Sequence, residues 1–254
     1  MKICVCGKGG SGKSTVVTLL AKAAREKGLP TLVIDSDESN SGLFRILGFD
    51  SPPLPLMEML GGKAALKDRM RNPNIFEHSH ITLKDIPSEY FRREDDLVLV
   101  SIGKILQSLE GCACPMGVLN REFLKKLHLD EPWIAFVDME AGIEHFGRGV
   151  DEGIDQVVLL VEPSFESVAL AEKIRDLAAG MHKPVTAVLN KVPSEKVAAK
   201  LEEALRQRHI EPVGTIPNDP SVFEASLEGL ALSSGTAAQA ADKVLESLLA
   251  KNPS

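Results

Sequence analysis

Hydrophobic and polar positions follow two alternating rhythms along the chain. Short apolar runs, rich in β-branched residues, recur between stretches in which apolar residues return every three or four positions. Because continuous apolar strands separated by helices are typical of sheets covered on both faces, the pattern predicts an α/β fold with one doubly wound, mostly parallel sheet flanked by helices. The predicted strands are Lys2–Cys6, Thr31–Asp35, Leu97–Ile102, Trp133–Asp138, Gln156–Val161 and Val185–Asn190, with a weaker candidate at Pro212–Ile216.

The helical rhythm predicts a first helix that ends near Gly28, a typical stop signal. Further helices are predicted at 166–180, 194–208 and 236–251. The stretch 48–96 differs, because it contains five prolines and short helical fragments without a clear strand rhythm. We interpret it as an insertion or lid over the carboxyl edge of the sheet, where open α/β sheets bind ligands. The whole chain, 1–254, is then expected to form one domain.

The composition of the chain argues against some classes of binding partner. The 254 residues carry 29 Lys+Arg against 36 Asp+Glu, a net charge of -7, and include only nine Phe, one Trp and one Tyr. An acidic chain with few aromatic residues argues against nucleic-acid or membrane-surface binding. No apolar run approaches the roughly 18 residues of a membrane span, and the N-terminal segment does not resemble a signal peptide. We therefore expect a cytoplasmic protein with no nucleic-acid or membrane partner.

A glycine-rich motif directly follows the first predicted strand. Residues 7–14, GKGGSGKS, match G-x-x-x-x-G-K-[ST] and lead into the first predicted helix. In such a loop the backbone N–H groups surround phosphate oxygens, Lys13 reaches the β- and γ-phosphates, and Ser14 offers its hydroxyl to Mg²⁺. A glycine-rich turn without a ligand is the alternative. The predicted nucleotide-binding residues are Gly9, Gly10, Ser11, Gly12, Lys13, Ser14 and Thr15.

Carboxylates follow two other predicted strands. Asp138 ends an apolar strand, as the Walker B carboxylate does in P-loop proteins, and it can contact Mg²⁺ directly or through water. Asp37 lies just after the strand Thr31–Asp35 and can position Mg²⁺ or the attacking water. The alternative for Asp37 is a polar turn that caps a helix at 41–47. The predicted magnesium ligands are thus Ser14, Asp37 and Asp138.

The four cysteines form two pairs. Cys4 and Cys6 share one face of the first strand, which favours a place in the core. Cys112 and Cys114 lie before a helical pattern, where two thiolates form a soft metal clip. One clip leaves a tetrahedral ion two ligands short, so a homodimer would complete the site. Thiolates accept Ni²⁺, Zn²⁺ and Cu(I), so the ligands do not choose the metal. Two reduced loop cysteines and a strained disulfide are alternatives, and His78-Ser-His80 is a weaker metal candidate.

With its second lysine, Lys8, the glycine loop resembles the deviant Walker A motif of the dimeric ATPases that include the septum-site (MinD), partitioning (ParA) and nitrogenase iron proteins, which have a SIMIBI-type P-loop fold. The resemblance implies that Lys8 crosses to the partner subunit's nucleotide, although a solvated surface lysine is the alternative. It also implies that Asp37 orients water, so that Lys8, Lys13 and Asp37 are the catalytic residues. Two further segments, Asn190-Lys191 and Ile216–Asp219, would flank the adenine, with Asn190 reading the base edge. The predicted nucleotide-binding residues within them are Asn190, Lys191, Pro217 and Asn218.

A narrower resemblance covers residues 2 to about 235. The glycine loop, the run 35–40 (DSDESN), the Cys112-Ala-Cys114 pair and the run 138–149 (DMEAGIEHFGRG) are similar to the CooC-type nickel-insertion ATPases of carbon monoxide dehydrogenase maturation. The resemblance implies ATP-controlled dimerisation, nickel bound by Cys112 and Cys114 of both chains, and delivery to a carbon monoxide dehydrogenase. Two alternatives stay open: a positioning ATPase that acts on membrane or DNA, and an iron–sulfur ATPase related to the nitrogenase iron protein.

Overall fold

The computed structural model describes residues 1–38, 42–69, 76, 78–103, 114–141, 150–232 and 234–251. Within them one eight-stranded sheet has the order β3-β4-β2-β5-β1-β6-β7-β8. Every neighbouring pair is parallel except β3 and β4. The strands are β1 Lys2–Gly7, β2 Thr31–Asp35, β3 Phe91–Glu94, β4 Leu97–Ser101, β5 Ile134–Asp138, β6 Gln156–Val161, β7 Val185–Val192 and β8 Glu211–Pro217. The predicted fold class is therefore confirmed.

Helices cover both faces of this sheet. They are α1 Lys13–Glu26, α2 Leu43–Leu47, α3 Leu56–Met59, α4 Gly62–Arg69, α5 Cys114–Lys126, α6 Phe165–Gly180, α7 Glu195–Arg206, α8 Pro220–Glu228 and α9 Thr236–Lys251. In the part of the chain that the structure describes, none of these helices combines the length and the apolar character needed to cross a membrane.

The central strand β1 divides the core into two layers. Its alternate residues Cys4 and Cys6 are buried in the layer that contains α5, α6 and α7. Ile3 and Val5 are buried in the other layer, against α1 and α9. Since successive side chains of a strand point to opposite faces, the two cysteines share one face, and their predicted place in the core is confirmed.

One strand was not evident from the hydrophobic pattern. β3 lies inside the stretch 48–96 and pairs antiparallel with β4 at the edge of the sheet. Its sequence, FRRE, is mostly charged, and its side chains are half-buried or exposed. Charged residues are common on edge strands because they oppose pairing with other chains. The stretch 48–96, which shows no clear strand rhythm in its sequence, therefore contains one strand at Phe91–Glu94.

The stretch 48–96 also contributes to the core. Leu56 and Leu66 are fully buried in the same layer as Phe123 of α5. The backbone N–H of Met57 donates to the carbonyl of Ile102, which follows β4, at 3.0 Å. This segment is thus attached at the carboxyl end of β4, next to the edge where the predicted ligand site lies.

Candidate nucleotide-binding site

The glycine loop connects β1 to α1 and requires glycine at two points. Gly10 and Gly12 have φ of 77° and 88°, in the left-handed region that favours glycine. A Cβ on Gly12 would lie 2.6 Å from Nδ2 of Asn190, so no larger residue fits there. Gly12 directly precedes α1, whose first N–H groups receive no side-chain cap. Uncapped N–H groups at a helix start are a ready site for phosphate oxygens.

The two lysines of the loop have different surroundings. Lys13 is buried, and its Nζ lies 3.4 Å from the carbonyl of Lys8, within the loop itself. The Lys8 ammonium instead forms an ion pair with Glu162, which follows β6, at 3.1 Å, and lies 4.0 Å from Glu166. In this single chain Lys8 is therefore held by an internal partner. Its role in a partner subunit's site stays a prediction.

Strand register brings the predicted carboxylates to one edge. Asp35 at the end of β2 is directly opposite Asp138 at the end of β5, and Asp138 is opposite Val5 of β1. The side chains of Asp35, Asp37 and Asp138 are all buried. Because neighbouring parallel strands end together, three carboxylates lie beside the loop that follows β1.

Asp138 has a strongly perturbed pKa. Burial is the main cause, and the neighbouring carboxylates of Asp35 and Asp37 add to it, so the pKa rises to about 7. The Ser14 hydroxyl and the Lys13 ammonium act in the opposite direction without compensating. A carboxylate in this position is costly to ionise unless a cation joins it.

The donor set fits Mg²⁺. Both carboxylate oxygens of Asp138 are shielded from solvent without a well-formed hydrogen-bond partner among the described residues. The Ser14 hydroxyl is close enough to lower the pKa of Asp138, and Asp37 lines one cavity together with Ser14. Carboxylate and hydroxyl oxygens are the hard ligands that Mg²⁺ prefers. The assignment of Ser14, Asp37 and Asp138 as magnesium ligands stays a prediction.

A second cavity, of about 310 Å³, lies beside the loop on the side of β7 and β8. All four predicted adenine-flanking residues line it together with Gly12 and Thr15: Asn190, Lys191, Pro217 and Asn218. Val222 and Phe223 of α8 also line it and were not predicted. They belong to the helix that follows Pro217 and Asn218, and this closeness in the sequence was the available signal. An apolar wall of this kind suits the face of a purine base.

Asn190 and Lys191 also support the glycine loop. The Asn190 amide donates to the carbonyl of Ser11 at 2.7 Å, and the Lys191 ammonium donates to the carbonyl of Gly10 at 2.6 Å. Lys191 has a φ of 58°, an uncommon value for a residue with a side chain. These bonds fix the loop to the end of β7. The proposed reading of the base edge by Asn190 stays a prediction.

Asp219 ends the second predicted adenine-flanking segment, and the sequence pattern predicts no separate role for its side chain. One carboxylate oxygen accepts from the N–H and hydroxyl of Ser221 in α8, and the other accepts from Thr236 and Ala237 at the start of α9. The hydrogen bond from the Ala237 N–H is the main reason that the pKa of Asp219 falls to about 2. This single side chain joins the adenine-flanking segment to both helices.

Of the predicted metal-binding pair Cys112 and Cys114, the structure describes only the helix that begins at Cys114. Cys112 lies outside the described residues, and Cys114 is the first residue of α5, with its side chain outside the description. Among the residues that are described, no group of three or more His, Cys, Asp or Glu side chains is arranged to hold a metal ion. In the weaker candidate, His78-Ser-His80, the ring of His80 lies edge-on to the ring of His128, with a centroid distance of 6.4 Å. The metal clip stays a prediction.

The helix that begins at Cys114 is hydrogen-bonded to the nucleotide site. Ser36, between the two aspartates after β2, donates its hydroxyl to the buried Asn120 amide of α5 at 2.9 Å. The backbone N–H of Ser36 donates to the carbonyl of Asp138 at 3.0 Å. A displacement of Asp138 or of the turn after β2 would therefore be transmitted to α5 through these hydrogen bonds.

Comparison with known proteins places this geometry in context. The family model described as the CobQ/CobB/MinD/ParA nucleotide binding domain matches residues 3–232. An uncharacterized ATP-binding protein of Methanocaldococcus jannaschii is 42% identical over 235 residues, which is 90% of this chain and 92% of that protein. The carbon monoxide dehydrogenase accessory protein CooC of Rhodospirillum rubrum is 31% identical over 235 residues, 91% of this chain and 88% of that protein.

A solved structure has the same fold. A chain of the MinC:MinD cell division protein complex of Aquifex aeolicus superposes with a TM-score of 0.70 at 20% identity, covering 100% of this chain and 97% of that chain. At this identity the likeness concerns the arrangement of strands and helices, including the mostly parallel sheet.

Proposed function

Because this chain belongs to the CobQ/CobB/MinD/ParA nucleotide-binding domain family, we propose that it is an ATP-driven metallochaperone that delivers nickel to the active-site cluster of a carbon monoxide dehydrogenase. The chain is a P-loop ATPase of the MinD/ParA type. The nickel role is supported by the similarity to the accessory protein CooC over most of both chains. The observation that carries the proposal is the hydrogen-bonded connection from the nucleotide site to the helix that begins at Cys114.

The residues of the loop would bind and orient the nucleotide. Backbone N–H groups from Gly9 to Thr15 hold the phosphates, and Lys13 balances charge on the β- and γ-phosphates. Mg²⁺, when bound by Ser14, Asp37 and Asp138, neutralises phosphate charge. Asp37 orients the attacking water. Asn190 holds the loop in shape through the carbonyl of Ser11.

Lys8 would complete the site of a second copy. For that role its ammonium leaves Glu162 and adds positive charge at the partner subunit's nucleotide, where charge develops during phosphoryl transfer. The homodimer is therefore the hydrolysing state, and the ion pair with Glu162 belongs to the separate chain.

The same dimer would create the cargo site. Cys112 and Cys114 of two chains supply four thiolates, which is the ligand number that a closed metal site requires. Hydrolysis changes the turn that contains Ser36, and Asn120 passes the change to α5. Nickel affinity and ATP binding then influence each other reciprocally, as linkage requires.

Nickel stoichiometry tests the proposal. Equilibrium dialysis of the wild type with ⁶³Ni²⁺ and ATP·Mg²⁺ is expected to give one ion for two chains, and the variant Cys112→Ser/Cys114→Ser is expected to bind none at this site. The matched control is Cys4→Ala, which removes a thiol buried in the core on β1 and should keep the wild-type stoichiometry. Unchanged binding by the double variant would exclude the site.

A second candidate is a positioning ATPase like MinD, in keeping with the shared fold. In this chain the apolar side of α9 is buried, with Ala241, Leu245 and Leu248 in the core layer that also holds α1. This helix therefore offers no free apolar face to a lipid surface. Cosedimentation with anionic vesicles or plasmid DNA in the presence of ATP distinguishes the two candidates, because the metallochaperone stays in the supernatant.

A further inference from the structure

A cavity of about 400 Å³ lies beside the glycine loop and shares Gly12 and Thr15 with the cavity of the adenine-flanking segments. Its wall contains Lys13, Ser14 and Thr15 at the start of α1 and the carboxylate Asp37. It also contains Arg45 of α2, a residue to which none of the motifs assigns a role.

Arg45 lies on the exposed side of α2, a short helix that is anchored in the core. Its residues Leu43, Phe44 and Leu47 are buried, whereas Arg45 is exposed. The carbonyl of Ile46 accepts the N–H of Leu232 at 3.0 Å, which fixes α2 to the segment before α9. The backbone of Arg45 is therefore rigidly anchored, while its side chain reaches the cavity.

The guanidinium of Arg45 lies beside the ring of Phe44 and near Gly229. It lies 5.3 Å from the ring centroid of Phe44, and its stem is next to Gly229 at the end of α8. Among the described residues no carboxylate forms an ion pair with it. By contrast, Lys8 is paired with Glu162 and Arg25 with Asp95.

From this geometry we infer that Arg45 is a further nucleotide-binding residue, which binds the phosphate chain of ATP and ADP from the cavity that contains Lys13 and Ser14. A guanidinium presents several N–H donors in one plane and pairs well with phosphate oxygens. Lys13 alone offsets one of the negative charges of a nucleotide triphosphate, and Arg45 adds a second cation from another element. Arg45 would then contact the phosphates from the wall of the cavity that also contains Asp37, the residue proposed to hold Mg²⁺ and the attacking water.

The inference rests on the nucleotide site of the proposed function and not on nickel. Binding of fluorescent ADP, competed by ATP, ADP or adenosine, measures it directly. Arg45→Ala is expected to weaken ADP and ATP about 10-fold, as for a hydrogen bond to a charged group, and to leave adenosine unchanged. Arg45→Lys should recover part of the affinity, because it keeps the charge but not the fork of donors.

Controls separate this inference from the proposed function. Arg25→Ala removes an arginine on the far end of α1 and should bind ADP like the wild type. Lys13→Ala reports on the loop itself, and if it binds ADP normally the nucleotide site is misplaced and the proposed function fails. If Lys13→Ala loses affinity but Arg45→Ala keeps it within twofold, or loses adenosine equally, the role of Arg45 is refuted. Equal melting temperatures of the variants exclude unfolding as the cause.

Discussion

Asp138 is expected to destabilise the protein in the absence of Mg²⁺, and its neutral replacement is expected to stabilise it. The carboxyl group is completely buried next to Asp35 and Asp37, and its pKa is about 7 in the folded chain against 3.8 for an ordinary aspartate. In Asp138→Asn the side chain keeps nearly the same shape but carries no charge. Its amide donors also suit the two neighbouring carboxylates.

The size of the effect follows from proton linkage. Below pH 3.8 the group is protonated in both states, so it costs nothing. Between pH 3.8 and about 7 the unfolded chain ionises while the folded chain stays protonated, so folding stability falls by about 1.4 kcal/mol for each pH unit. Above pH 7 the loss is complete, at about 4 kcal/mol. The benefit of Asp138→Asn should therefore grow by about 3 kcal/mol between pH 5 and pH 8.

Thermal unfolding in EDTA measures this difference. At pH 8 the Asp138→Asn variant should melt about 10 °C above the wild type, and the difference in melting temperature should be much smaller at pH 5. In a separate assay with Mg²⁺ the variant should lose ATP hydrolysis. Asp50→Asn, which removes a carboxylate from an exposed position, is the control and should not change the melting temperature. A gap that is absent at pH 8, or equal at both pH values, would refute the reasoning.

Two further predictions concern the connections of the site. Glu162→Gln should release Lys8 and increase the fraction of dimer at a given ATP concentration, measured by analytical ultracentrifugation, with less than about 1 kcal/mol of lost stability. Glu166 lies at the longer distance of 4.0 Å, so Glu166→Gln should have a smaller effect. A weaker dimer in Glu162→Gln would argue against an internal restraint on Lys8. Asn120→Ala should keep ATP hydrolysis within about threefold but reduce the change in nickel affinity that ATP causes. Arg121→Ala, one residue along α5, is the control. An unchanged effect of ATP on nickel affinity in Asn120→Ala would exclude the route through Asn120.

The hydrophobic pattern predicted the strands that are buried on both faces. Such strands as Thr31–Asp35 and Gln156–Val161 read as continuous apolar runs, and the structure has them at those residues. β3 has no such run, because an edge strand is stabilised by its pairing with β4 and exposes charged side chains. Local sequence carries little trace of a strand whose existence depends on its neighbour.

The site was predictable where it follows strand order and obscure where it depends on long-range contacts. Asp37 and Asp138 each follow an apolar strand, and parallel strands end at one edge, so their proximity to the glycine loop could be predicted. The bonds from Asn190 to Ser11 and from Ser36 to Asn120 span 179 and 84 residues. Nothing in the local sequence marks such a contact, and only the folded sheet brings these side chains together.

The central claim is that ATP controls a nickel site shared by two chains. The most direct test is a titration of the metal-free protein with Ni²⁺, with and without ATP·Mg²⁺, measured by isothermal titration calorimetry. Analytical ultracentrifugation of the same samples then gives the oligomeric state. The account predicts one nickel for two chains, a dimer in the loaded state, and a nickel affinity that changes at least fivefold when ATP is present. Nickel binding that has the same affinity and stoichiometry with and without ATP, on a chain that stays monomeric, would contradict it.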